Sequence, residues 1–192
     1  MNTPFEADAK SEKKTPAKKP EAFTLIELLV VIAIIAVLAG IMLAAINSSL
    51  ASAKRVTAKN LAVNIATAIA GYESEYGRLP SNGTSTNFDT ALVTMLCTSN
   101  DAVNNPRGII FLDASVWKNG KGGTNANGFC DPFNANHPFS IALDTSYVNM
   151  LSNMPAQTNL GGTIYSTNIT KHIGVWTVWT NSGRTYLIDS WD

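Results

Sequence analysis

From Phe23 to Ile46 the chain carries a single ionisable side chain, Glu27, among Leu, Ile, Val, Ala and Met. A helix of that length reaches roughly 36 Å, enough to cross the hydrocarbon core of a bilayer. A plain anchor leaves the carboxylate unexplained, because a charge within a span costs about 2.5–3.5 kcal/mol even on lenient scales. The abrupt change from a lysine-rich segment ending at Ala22 to apolar sequence at Phe23 suggests a remedy. A cut between these two residues would create an ammonium group close to Glu27.

Residues 1–22 contain Lys10, Lys13, Lys14, Lys18 and Lys19 with Pro4, Pro16 and Pro20, and almost nothing that can be buried. They read as a disordered cytoplasmic leader. Lysines abutting an apolar run stay on the cytoplasmic side, which puts everything beyond Ile46 across the membrane. A secretory signal peptide fits poorly, since the run exceeds the usual 7–15 residue core and only Ala44-Ala45-Ile46-Asn47 offers a weak cleavage site.

Beyond Ile46 hydrophobicity falls but helical spacing continues. Leu50, Leu61, Ile65, Ile69, Tyr72 and Tyr76 fall close to one face, with Lys54, Arg55 and Lys59 on others. Gly77 can take a left-handed cap and Pro80 forbids continuation. Phe23 to Tyr76 is therefore expected to form one helix of roughly 80 Å. Gly40 is its weakest interior point, about 1 kcal/mol worse than Ala.

The stretch Ala22-Phe23-Thr24-Leu25-Ile26-Glu27-Leu28-Leu29-Val30-Val31-Ile32-Ala33-Ile34-Ile35 resembles the processing and methylation signature of type IV pilin-like proteins, and more particularly of type II secretion pseudopilins. The resemblance implies cleavage between Ala22 and Phe23 by prepilin peptidase, N-methylation of Phe23, and a role for Glu27 in assembly. Ala22 stands where the family usually has glycine. Tyr72-Glu73-Ser74-Glu75-Tyr76-Gly77-Arg78-Leu79-Pro80-Ser81 is similar to the junction that leads from helix to head in the major pseudopilin, with Leu79 in place of an aromatic residue. More loosely, Asn105-Pro106-Arg107-Gly108, Asp131-Pro132-Phe133 with Pro138-Phe139, and Val175-Trp176-Thr177 with Ile188-Asp189-Ser190-Trp191 resemble pieces of pseudopilin heads. Many such heads carry a calcium loop before the last strand. Here Tyr186-Leu187 replaces its usual Asp pair and Thr180 to Arg184 has no carboxylate, so that site is expected to be missing.

In the remainder, Ser81–Asn87 reads as a polar loop and Phe88–Leu96 as a short helix with Asp89 at its start. Ile109–Leu112 reads as a brief buried segment and Lys118–Gly128 as an exposed loop. Phe139–Leu143, Ile173–Trp179 and Arg184–Ile188 read as strands, and Met150–Gly162 as a long connection. The expected fold class is α+β: a leader at 1–22, a long helix at 23–76 whose residues 23–46 form the transmembrane and assembly core, and an extracytoplasmic head at 77–192.

The formal net charge is zero and charged residues make up only 15% of the chain, which recommends no nucleic-acid partner. Cys97 and Cys130 allow one disulfide, worth roughly 3.5–4 kcal/mol in the chain-entropy model, or two free buried thiols. A zinc site from Cys97, Cys130, His137 and His172 would need four scattered residues to converge without the usual short ligand pairs. No nucleophile elbow, HExxH or phosphate loop is present, so neither catalysis nor a cofactor is expected. Trp117, Trp176, Trp179 and Trp191 could line a sugar-binding surface, against their more usual packing role.

The resemblance implies a structural subunit of a type II secretion pseudopilus, anchored in the bacterial inner membrane with its head periplasmic. Its expected partners are identical or related subunits, prepilin peptidase, the inner-membrane assembly machinery and the membrane itself. The alternatives are a subunit of a surface filament for adhesion or DNA uptake, and a membrane-anchored sugar-binding or hydrolytic protein.

Overall fold

The computed structural model describes residues 23–80, 86–157 and 161–191, which leaves the leader and Ala22 outside the described residues. The chain forms two compact units with the boundary between Ala45 and Ile46. Helix α1 (Leu25–Tyr76) contributes to both.

In the first unit the apolar side chains of α1 are exposed all round; Leu29, Ile32, Ile34 and Ile35 are each between 55% and 57% exposed. By length and composition this helix can cross a membrane.

In the second unit α1 turns one stripe inward. Ala58, Ala62, Ile65, Ile69 and Tyr72 are fully buried, at the alternating spacing of four and three that one helical face requires. The expected face began at Leu50, but Leu50 is 56% exposed; burial begins two turns later, and alanines rather than large residues open it. Their small side chains let the packed elements lie close to the helix backbone. The helix stops as expected: Gly77 has φ 67° and its N–H donates to Glu73 O at 2.8 Å.

Helix α2 (Thr90–Cys97) starts at Asp89, whose Oδ1 accepts the N–H groups of Ala91 and Leu92, both at 3.1 Å. It buries Leu92, Met95 and Leu96 in a core shared with Tyr72, Phe88, Phe129, Phe139 and Val175. The buried Asn105 fastens the following turn. Its Nδ2 donates to Met95 O, Thr98 O and Ile109 O, and its Oδ1 accepts from Ile109 N–H and from the Tyr76 hydroxyl at 2.6 Å. Segment 109–112 is buried only in part: Leu112 is inside, while Ile110 is 58% exposed. Phe111 N–H and Leu112 N–H both donate to Leu96 O, which pins the segment across the end of α2 with one side outward.

Part of the loop expected at Lys118–Gly128 is a hairpin of β1 (Gly123–Asn125) and β2 (Gly128–Cys130). It is drawn inward because glycine permits it; a Cβ on Gly128 would lie 2.1 Å from Phe88 O. Strands β3 (Ser140–Leu143), β6 (Ile173–Asn181) and β7 (Arg184–Asp189) form an antiparallel sheet in the order β3-β6-β7, with Ile141 opposite Val175 and Thr177 opposite Ile188. Ser182 and Gly183, with φ of 50° and 75°, turn β6 into β7 in two residues.

The connection at Met150–Gly162 holds structure as well. Strand β4 (Leu151–Gln157) pairs with β5 (Ile164–Ile169) in a hairpin irregular between Leu151 and Met154. The side chain of Gln157 joins this hairpin to β7, donating to Thr185 O at 2.7 Å and accepting from Leu187 N–H at 3.1 Å. Those bonds occupy backbone groups that would otherwise be open along β7.

Candidate functional site

Two of the residues singled out by sequence, Phe23 and Glu27, lie at the start of α1. Thr24 caps the helix, its Oγ accepting Glu27 N–H at 3.3 Å. Glu27 reaches back: its Oε2 accepts the Thr24 N–H at 2.9 Å and the Thr24 hydroxyl at 2.7 Å. This is a reciprocal capping box, which satisfies two of the N–H groups that a helix start leaves without partners. Sequence reasoning took Glu27 as a charge needing a counter-ion and missed its work as a cap. The signal was in view, since Thr24 and Glu27 stand three apart ahead of an apolar run. Phe23 lies just outside the helix and is 79% exposed.

The remaining candidates are dispersed. Cys97 and Cys130 are both free thiols. Burial, with Asp113 adding to it, pushes the Cys97 thiol up to about 12. Burial also raises Cys130, whose Sγ donates to Asn125 Oδ1 at 3.5 Å. His137 meets Asp131 rather than a cysteine: its Nδ1 is 2.8 Å from Asp131 Oδ2, which also accepts the Thr177 hydroxyl at 2.6 Å. The other oxygen of Asp131 accepts the N–H groups of Phe133 and Asn134, so this carboxylate holds a turn together. The hydrogen bond to Asp131 raises the His137 pKa, partly offset by burial. His172 bridges two other acids, with Nε2 2.8 Å from Glu73 Oε1 and Nδ1 3.5 Å from Asp144 Oδ2. Cys97, Cys130, His137 and His172 are thus not brought into one metal cluster among the described residues.

The tryptophans do not share one face either. Trp117 Nε1 donates to Asp131 O, Trp176 meets Trp191 edge-on at 6.1 Å, and Trp179 stacks between Phe133 and Tyr186.

The turn built by Thr24 and Glu27 lies within a stretch that matches a known family model. Residues 18–43 match the family model described as the prokaryotic N-terminal methylation motif. This is a type IV pilin-like prepilin signal; it supports reading the chain as a substrate of prepilin peptidase and points to a structural subunit. No curated protein and no solved structure matches the chain.

Proposed function

We propose that the chain is a pilin-like subunit that is cut between Ala22 and Phe23, N-methylated on Phe23 and assembled into a type II secretion pseudopilus. Residues 1–22 are its cytoplasmic leader, 23–46 its membrane span and later the filament core, and 77–192 its periplasmic head. The observation that carries this reading is the methylation motif at residues 18–43, with Glu27 as the only ionisable side chain between Phe23 and Ile46.

The capping geometry supports a second role for the same carboxylate. Glu27 Oε2 already accepts the N–H of Thr24, one residue from the nitrogen that cleavage would free. A terminal ammonium at Phe23 then pairs with Glu27 in the same subunit or a neighbour. In hydrocarbon a mispaired register strands both charges, at about 3–5 kcal/mol for a broken buried pair. Helix stagger in the filament becomes specific for that reason.

Mass spectrometry of protein from cells with and without prepilin peptidase tests the processing. The expected product begins at a singly methylated Phe23 only when the peptidase is present; a product beginning at Met1, or beyond Ile46, would refute it. Glu27→Gln is expected to leave the monomer in the membrane but abolish ordered assembly, scored by cross-linking between subunits. Co-purification with secretion components, as against recovery in sheared surface filaments, separates a pseudopilus from a surface pilus.

A further inference from the structure

The helical residues from Asn47 to Arg55 and the β6–β7 hairpin enclose a groove of about 520 Å³, lined by Lys54, Arg55, Trp179, Asn181 and Tyr186 among others. Two cations stand side by side in it. Lys54 Nζ donates to Asn119 Oδ1 at 2.8 Å, a neutral acceptor. Arg55 donates to Ser52 Oγ at 3.1 Å, and its Nε–H is buried with no acceptor. Neither has a carboxylate within ion-pair distance among the described residues, whereas Lys59, farther along α1, lies 3.5 Å from Asp189. Among the described residues, the groove's positive charge is therefore left unbalanced.

An aromatic ladder fixes that charge in place. The Arg55 guanidinium lies 4.8 Å from the centre of the Tyr186 ring, Tyr186 stacks on Trp179 at 5.4 Å, and Trp179 on Phe133 at 4.5 Å. A guanidinium held over a ring in this way loses less freedom on meeting an anion, and its planar fork suits phosphate oxygens.

We propose that this groove binds the phosphodiester headgroup of an anionic phospholipid, in the leaflet that the chain leaves at Asn47. The inference rests on the reading of 23–46 as a membrane span. Sequence position favours a lipid: α1 is unbroken through Ile46, and the groove's first residue, Asn47, directly follows the apolar run. Trp and Tyr sit at both membrane–water interfaces, and a Lys or Arg close to anionic headgroups gains about 1 kcal/mol. Leu50, which also lines the groove and is 56% exposed, offers an apolar flank for the start of an acyl chain.

The test uses the full chain in bilayers of phosphatidylcholine mixed with phosphatidylglycerol, with native mass spectrometry of the lipid that stays bound after release. Phosphatidylglycerol is expected to be enriched over its bulk share. Lys54→Gln with Arg55→Gln should lower that enrichment roughly tenfold or more. Lys54→Gln alone, which leaves the Arg55–Tyr186 stack in place, should lower it roughly fivefold and keeps the test valid if the double variant unfolds. Arg107→Gln, which removes a cation paired with Glu75, should not change it. Unchanged enrichment in the groove variants overturns the proposal. So does loss of enrichment on adding inorganic phosphate, which would make the ligand a free anion, or a fall in self-association alone, which would make it a second copy. Failure of the unaltered chain to float with phosphatidylcholine vesicles would instead count against the span itself.

Discussion

The two stretches of α1 share a backbone conformation and have opposite surfaces. Ile34, in the first unit, is 55% exposed, whereas Ile65, in the second, is fully buried. The later stretch finds its solvent within the chain, in Phe88, Leu92 and Phe139, and needs apolar residues on one face only. The earlier stretch is apolar on every face and finds nothing among the described residues of its own unit to bury them, which is the pattern of a helix made for lipid or for other helices. Helix formation is thus common to both, and what differs is the medium each surface is matched to.

Exchanging side chains between the two settings gives the largest expected effect. Ile65→Ala should cost about 2–5 kcal/mol of head stability, read as a lower midpoint in thermal or urea unfolding. Ile34→Ala should leave that midpoint unchanged, since Ile34 is 55% exposed and is no member of the buried core. Equal losses from both would erase the contrast. Ile34→Arg reverses the assay: head stability should hold, while membrane insertion loses about 2.5–3.5 kcal/mol, seen as protein failing to float with vesicles.

A smaller effect concerns where the apolar stretch begins. Thr24→Ala removes the hydroxyl that both accepts Glu27 N–H and donates to Glu27 Oε2. The first turn should lose about 0.5–2 kcal/mol, measured as faster hydrogen exchange at residues 25–28 in micelles, with no change in the head. Slower or unchanged exchange would mean that the cap does not hold this turn.

The same contrast explains how much the sequence disclosed. Ile65, Ile69 and Tyr72 announced their face by spacing, Asp89 announced the start of α2 as a carboxylate suited to the helix dipole, and the β6–β7 hairpin stood out through its β-branched and aromatic residues. The β4–β5 hairpin was hidden because Pro155, polar residues and a positive φ at Asn153 argue against a strand, and only pairing with β5 and the Gln157 bridge hold it. The β1–β2 hairpin was hidden for a related reason, since Gly123 and Gly128 serve through the side chain they lack. Asn105 stood out only within a stretch resembling pseudopilin heads, and the fold alone supplies the three carbonyls on its amide. At Glu27 the charge was legible and drew attention away from an equally legible cap.

The smallest effect lies wholly in the head and separates it from the span by pH, because the only ionisable side chain between Phe23 and Ile46 is a carboxylate. His137 has its pKa raised above the ordinary value of about 6.5, first by the hydrogen bond to Asp131 and further by the charge of that carboxylate, against the opposing pull of burial. A raised value in the folded state means that folding binds the proton. The contribution to stability is then complete below pH about 6.5 and is lost as pH rises through the folded-state value. Because the imidazole is 44% exposed, solvent screens the pair and the effect is small. Unfolding midpoints of the head taken at rising pH should fall slightly across this window. His137→Gln should flatten that part of the profile while leaving the Asp131 bonds to Phe133 and Asn134 in place. A profile equally steep in the variant would mean that His137 does not carry the pH dependence.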